Sequence, residues 1–221
     1  MTEVALLVIA KAPVPGRVKT RLMPPCTPEQ AAGLARAALE DTLAAAAAAR
    51  LPARRVLVLD GEPGPWLLPG FEVVPQRGDG LAERLAAAFE DAGAPALLIG
   101  MDTPQVTPEL LDAGIRALEG DGVDAVFGAA TDGGYWTIGL RRSDPAVFDG
   151  VPMSADRTGV VQRARMAALG LRVASLAPLL DVDSIEDAYE VAAQASGGRF
   201  AAAVAALHAG SDAGARRRRT T

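Results

Sequence analysis

Lysine is almost missing from this 221-residue chain: of its 22 basic residues only Lys11 and Lys19 are lysine, the others arginine. Histidine and cysteine are scarcer, with one of each. A single cysteine, Cys26, excludes an intrachain disulfide and a thiolate zinc site. The lone His208 excludes a multi-histidine metal centre, and a Ser-His-Asp triad would have to recruit it from an Ala-rich segment. An excess of positive charge is missing too. A net charge of −5 argues against a general nucleic-acid binder, whose footprint would be basic. Long apolar runs are also absent at the start: residues 4–10 are apolar but follow Glu3, too short for a signal h-region or a bilayer span. No membrane partner is expected, and a reducing cytoplasm is the expected compartment.

What remains is a vocabulary of carboxylates, arginine, two lysines and backbone amides, which suits a hard divalent cation and phosphate. Apolar content of 50% with 22% charge is that of a globular α/β domain. The length favours one domain over residues 1–209, followed by a disordered Arg-rich tail over 210–221 whose Arg216–Arg219 run reads as a solvated end. Short β-rich runs at 4–10, 55–59, 71–74, 96–100, 124–130, 135–140 and 171–176 alternate with helical stretches. Thr27-Pro28-Glu29-Gln30 and Thr107-Pro108 carry helix-start chemistry, as does Ser184 with Asp187 three residues later. The pattern predicts a mostly parallel sheet covered by helices.

In such sheets ligands bind beyond the carboxyl ends of the strands. The distinctive residues follow strands: Lys11 the first, Asp60 the second, Asp102 the fourth, Asp132 the fifth, Asp181 and Asp183 the last. Both lysines fall in one loop, Lys11-Ala-Pro-Val-Pro-Gly16-Arg-Val-Lys19-Thr20-Arg21. A compact ammonium is kept where a planar guanidinium cannot take its place, so this loop is expected to bind an anion such as a nucleotide phosphate chain. It is not a Walker A loop. Lys11, Gly16, Lys19, Thr20 and Arg21, with Asp60 and Arg77, form the expected nucleotide-binding set. Asp102, pinned between Gly100 and Pro104, is suited to ligate Mg²⁺ or Mn²⁺. One of Asp181 and Asp183 is expected at the rim as the second ligand, and Asp183 is the choice. Asp132-Gly133-Gly134-Tyr135 reads equally as an acceptor-binding segment and as a tight turn.

Four segments taken together, Lys11 to Leu22, Gly100-Met-Asp102-Thr-Pro104, Asp132-Gly-Gly-Tyr135 with Ile138-Gly139, and Asp181-Val-Asp183-Ser-Ile-Glu-Asp187, resemble the bacterial DUF2064 family. That family is described as glycosyltransferase-like, with 2-phospho-L-lactate guanylyltransferase among its relatives. The resemblance runs in order from about residue 4 to 195 and implies a three-layer α/β/α, Rossmann-like fold of the GT-A type with a mostly parallel mixed sheet. It also implies that Lys11 to Arg21 holds nucleotide phosphates and that Asp102 and Asp183 hold the metal. Two departures stand out: the Gly-Gly opening of many nucleotidyltransferase loops is replaced by Ala-Pro-Val-Pro-Gly, and residues 152–158 lack a Trp-Ser-Thr sequence.

The expected activity is Mg²⁺-dependent nucleotidyl transfer from an NTP to a small phosphorylated or acidic acceptor, releasing pyrophosphate. Lys19, Arg21 and Asp102 are the expected catalytic residues. Glycosyl transfer from a nucleotide sugar is the alternative, and nucleotide binding without turnover a third. The partners are thus a nucleotide donor and a small-molecule acceptor, with assembly as a homodimer left open.

Overall fold

A computed structural model describes residues 3–52 and 54–207. His208 and the Arg216–Arg219 tail, named above, lie outside the described residues. The strands are β1 (Ala5–Lys11), β2 (Arg54–Asp60), β3 (Glu72–Pro75), β4 (Ala96–Gly100), β5 (Ala125–Ala130), β6 (Tyr135–Leu140) and β7 (Val173–Leu179). The helices are α1 (Pro28–Ala48), α2 (Leu81–Ala92), α3 (Pro108–Glu119), α4 (Thr158–Ala168), α5 (Ile185–Gln194) and α6 (199–207).

The strands form one sheet in the order β3-β2-β1-β4-β6-β5-β7. Only β6 runs antiparallel to its neighbours, because the turn at residues 131–134 folds it back as a hairpin onto β5 before it slots beside β4. Alternation along β1 distributes its side chains to two layers. Leu6 and Val8 join Leu39 and Leu43 of α1 and Ile115 of α3 in one apolar cluster. Leu7 joins Phe89 of α2, Met166 of α4 and Phe127 in another. Each fully buried Leu or Phe in these layers contributes about 1.5–3 kcal/mol. The result is the expected three-layer α/β/α domain.

The cap chemistry is used as the sequence implies. Thr27 with Gln30, and Ser184 with Asp187, make reciprocal capping boxes, and the Thr107 hydroxyl accepts from Leu110 N. Asp187 is therefore committed to its helix start. The last strand lies two to three residues later than the sequence pattern places it. Pro178 falls inside it, which is tolerated because β7 is an edge strand and has no second ladder to donate to. Among the described residues no helix is long and apolar enough to cross a membrane.

A third apolar cluster lies outside the sheet, where Leu22, Val182 and Phe200 pack with the outer face of α1 and with α5. Leu22 ends the lysine loop and Val182 separates Asp181 from Asp183. Both side chains are fully buried in this cluster, and this shared anchor brings the cationic loop and the acidic segment together.

Candidate functional site

Beyond the carboxyl ends of β1 and β4 opens a cleft of about 690 Å³. The lysine loop forms one wall and is held in an unusual backbone conformation. Lys19 has φ 48° and ψ 38°, a left-handed geometry costing a residue with a Cβ about 1–2 kcal/mol. What offsets that cost is where it sends the side chain. The ammonium lies 2.6 Å from Asp102 Oδ1 and donates to the Val182 carbonyl, with the side chain only 8% exposed. Val182 N in turn donates to the Asp102 carbonyl, 3.0 Å. Two residues on, Arg21 pairs with Asp183 at the open edge of the cleft, where its side chain is 64% exposed.

Expecting only one of Asp181 and Asp183 at the rim was an error of geometry. Residues two apart in an extended segment share a face. Both carboxylates line the cleft and the intervening Val182 points into the core. Asp181 is the more perturbed. Burial, then the neighbouring Asp102 carboxylate, with smaller contributions from Asp132 and Asp183, push its carboxyl up to about 8 against the opposing pull of Lys19. Carboxylates packed at this density repel, and Lys19 is the cation that offsets the repulsion here.

Oxygen donors from Asp102, Asp181 and Asp183 suit Mg²⁺ or Mn²⁺ by chemistry and charge. Among the described residues no group of three or more His, Cys, Asp or Glu has metal-holding spacing. Lys19 and Arg21 instead neutralise Asp102 and Asp183. The donor set fits a divalent ion in its chemistry, while in this structure two of its three carboxylates are paired with cations of the lysine loop.

The other expected residues are placed unequally. Lys11, Lys19, Thr20 and Arg21 line the cleft, whereas Gly16, at φ 75° in the same loop, does not. Asp60 borders a smaller side pocket with Lys11 and Arg17, and its carboxylate is taken by Arg84, 2.9 Å away. Arg77, expected at the nucleotide, turns away from the cleft to pair with Asp91 at 2.6 Å and Glu90 at 3.5 Å, because its side chain lies over the end of α2. Asp132, Gly134 and Tyr135 line the cleft, while Gly133 does not and packs instead against the backbone of Asp156. The segment is both a tight turn and part of the cleft wall.

Several cleft residues were not singled out from the sequence. Arg84 reaches the cleft from the first turn of α2 and is also bonded to Gln76 Oε1, 3.2 Å. Arg17, Asp79, Ser154 and Asp156 line it too. Only the position of Arg17 between the two lysines could have flagged it. Gln105, outside the cleft, donates to the Leu180 carbonyl at 2.6 Å and ties the acidic segment to the loop after β4.

The family profile described as "Uncharacterized protein conserved in bacteria (DUF2064)" matches residues 31–155. No curated protein matches the chain. Among solved structures, a Desulfovibrio desulfuricans G20 protein assigned as a nucleotide-diphospho-sugar transferase is 30% identical, with TM-score 0.82 and 96% of each chain covered. A CMP:2-keto-3-deoxy-manno-octonic acid synthetase complexed with CTP aligns at 12% identity and TM-score 0.57, over 88% of this chain and 99% of that one. Rv0371c of Mycobacterium tuberculosis H37Rv, in complex with manganese, aligns at 22% identity and TM-score 0.52, over 86% and 98%. At these last two identities the likeness is one of fold.

Proposed function

The chain belongs to the bacterial DUF2064 family, and from that footing we propose that it is a divalent-cation-dependent transferase acting on a nucleotide donor, in the first instance a nucleotidyltransferase that moves an NMP from an NTP to a small-molecule acceptor and releases pyrophosphate. The observation that carries this reading is the meeting of Lys19 with Asp102, and of Arg21 with Asp183, at the mouth of the sheet. One locus thereby holds both the cations a polyphosphate needs and the carboxylates a metal needs. The solved likenesses to a CTP-bound synthetase and to a manganese complex support the same pairing.

Asp102 and Asp183, with Asp181 beside them, would hold the divalent ion, which supplies charge neutralisation and Lewis acidity at the donor phosphates. Lys19 and Arg21, drawn off the carboxylates, bind the phosphate chain and stabilise the charge that moves to the leaving pyrophosphate. Lys11, Arg17 and Arg84 lie on the same side and add positive potential. Transfer of this kind depends chiefly on positioning and electrostatics, so no histidine base is needed.

A second reading, glycosyl transfer from a nucleotide sugar, is favoured by the 30% identity to the assigned nucleotide-diphospho-sugar transferase. Five cleft-lining cations favour the more highly charged triphosphate. Thermal unfolding with ATP, GTP, CTP, UTP, UDP-glucose and GDP-mannose, each with and without Mg²⁺, separates the two. A ligand at a hundred times its Kd adds about 2.7 kcal/mol, or about 5–10 °C for a chain of this size. Stabilisation by one NTP with Mg²⁺, abolished in Asp102→Ala, is the expected result. A response confined to nucleotide sugars makes the second reading correct, and no Mg²⁺-dependent response at all refutes both.

A further inference from the structure

Charge in the cleft is divided largely along the same line as the sheet, with Asp79, after β3, the one acid lining the cationic side among the described residues. The five cations that line it, Lys11, Arg17, Lys19, Arg21 and Arg84, all come from the side built on β1, β2 and β3. The side built on β4, β6, β5 and β7 contributes Asp102, Asp132, Asp156, Asp181 and Asp183, and among the described residues no lysine or arginine lines it. Asp102, Asp181 and Asp183 are accounted for by the metal and donor. Asp132 and Asp156 are not.

These two acids sit on loops that are locked together. Gly133 has φ 95°, and a Cβ there would fall 1.8 Å from the Asp156 carbonyl oxygen. Gly159 N donates to the Gly133 carbonyl at 2.7 Å. Both acids are solvent-exposed: Asp132 Oδ1 accepts from Gly134 N at 2.9 Å, and its second oxygen and the Asp156 carboxylate are left to solvent, without a protein hydrogen-bond partner among the described residues. Two neutral hydroxyls on this side are poorly satisfied within the protein. Thr103 lines the cleft with its residue 1% exposed, and its hydroxyl has no partner. The half-buried Tyr135 hydroxyl has the Met153 thioether sulfur at 3.9 Å, a weak acceptor.

We propose that the acceptor is a polyhydroxylated small molecule carrying neither phosphate nor carboxylate, whose hydroxyls donate to Asp132 and Asp156 beside Thr103 and Tyr135. The inference rests on the transferase reading above and names the acceptor of that same site. It replaces the sequence-based expectation of a phosphorylated or acidic acceptor. A phosphate or carboxylate beside Asp132 and Asp156 would face two carboxylates that no cation is paired with among the described residues, whereas a hydroxyl offers each of them a donor. The cations that would welcome an anionic acceptor are carried by the other side of the sheet, and the two that reach across, Lys19 and Arg21, pair with Asp102 and Asp183 rather than with Asp132 or Asp156.

The test uses the full chain with Mg²⁺ and whichever nucleotide stabilises it. Donor turnover is measured with matched acceptors that differ only in charge: glycerol, glycerol 3-phosphate and glycerate, then glucose, glucose 6-phosphate and gluconate. The flow-through and retained fractions of a bacterial metabolite extract passed over an anion exchanger are assayed alongside. Turnover is expected with the neutral members or the flow-through, at a kcat/KM about tenfold or more above that of the charged counterparts. Asp132→Asn and Asp156→Asn should each raise the acceptor KM about tenfold while the donor-induced rise in Tm stays within about 1 °C of the unsubstituted chain. Turnover with only the anionic members or the retained fraction, or an acceptor KM unmoved by both substitutions, overturns the proposal. A chain that no nucleotide stabilises would instead count against the transferase reading itself.

Discussion

Replacing Lys19 by methionine keeps the aliphatic stem and removes the ammonium, so it isolates the contact on which the site turns. At 2.6 Å from Asp102 the gross attraction at an effective dielectric of 20 is about 6 kcal/mol. Most of that is cancelled by desolvation of a side chain only 8% exposed. Removing one partner of a buried pair typically costs about 3–5 kcal/mol, because the other charge is stranded. Asp102 is 39% exposed and can rehydrate in part, which lowers the expectation to about 2–3 kcal/mol. For a chain of this length that is a fall in Tm of about 4–12 °C. Arg21→Met is the internal control: its pair with Asp183 is solvent-exposed and should contribute no more than about 1 kcal/mol.

Urea unfolding in EDTA measures the loss, and a double-mutant cycle with Asp102→Asn assigns it to the pair. The same variants titrated with Mn²⁺ alone give an opposite sign. Without the ammonium, Asp102 is free to ligate and the repulsion among Asp102, Asp181 and Asp183 is unrelieved, so Lys19→Met should bind free Mn²⁺ more tightly than the unsubstituted chain. It should nevertheless bind nucleotide less well. A Lys19→Met chain within about 0.5 kcal/mol of the original, or a cycle with no coupling, would refute the argument that Lys19 is held by Asp102.

The layered fold was legible because its signals are local. Thr27-Pro28, Thr107-Pro108 and Ser184 with Asp187 mark helix starts by their own chemistry, and each cap forms as read. The address of the site was legible for a related reason: in a parallel sheet every strand ends at the same rim, so Lys11, Asp102 and Asp132 are gathered by topology alone. Partner choice was not legible. Arg77 and Arg84 look alike in sequence, and only the path of α2 decides that one folds back on Asp91 while the other reaches Asp60 and the cleft. Asp156 was hidden differently. It enters the site because Gly133 and Gly159 let two loops touch across 26 residues of chain, and no motif records that contact. The uneven division of charge across the cleft, with Asp79 its exception, was likewise invisible, since it exists only once β6 has been placed between β4 and β5.

Two further outcomes follow from geometry away from the lysine. The guanidinium of Arg172 bonds Asp124 and, with the Arg172 backbone N–H, depresses its carboxyl to about 2, so the pair's contribution is complete above the unfolded carboxylate value near 4 and is lost as pH falls toward 2. Urea midpoints recorded between pH 5 and about 2 should therefore fall less steeply in Asp124→Asn than in the unsubstituted chain, and parallel curves would show that the pair does not persist in solution. Gly133→Ala combines an unfavourable φ of 95° with a Cβ that would lie 1.8 Å from a backbone oxygen, where no flexible side chain can yield, so the two loops must separate. Strain and lost packing should cost about 3 kcal/mol or more, while Gly150→Ala, at φ 73° with open space around its Cβ, pays only for the backbone. If the two variants unfold at the same urea concentration, the loop contact that carries Asp132 and Asp156 to one wall is not as close as the structure has it.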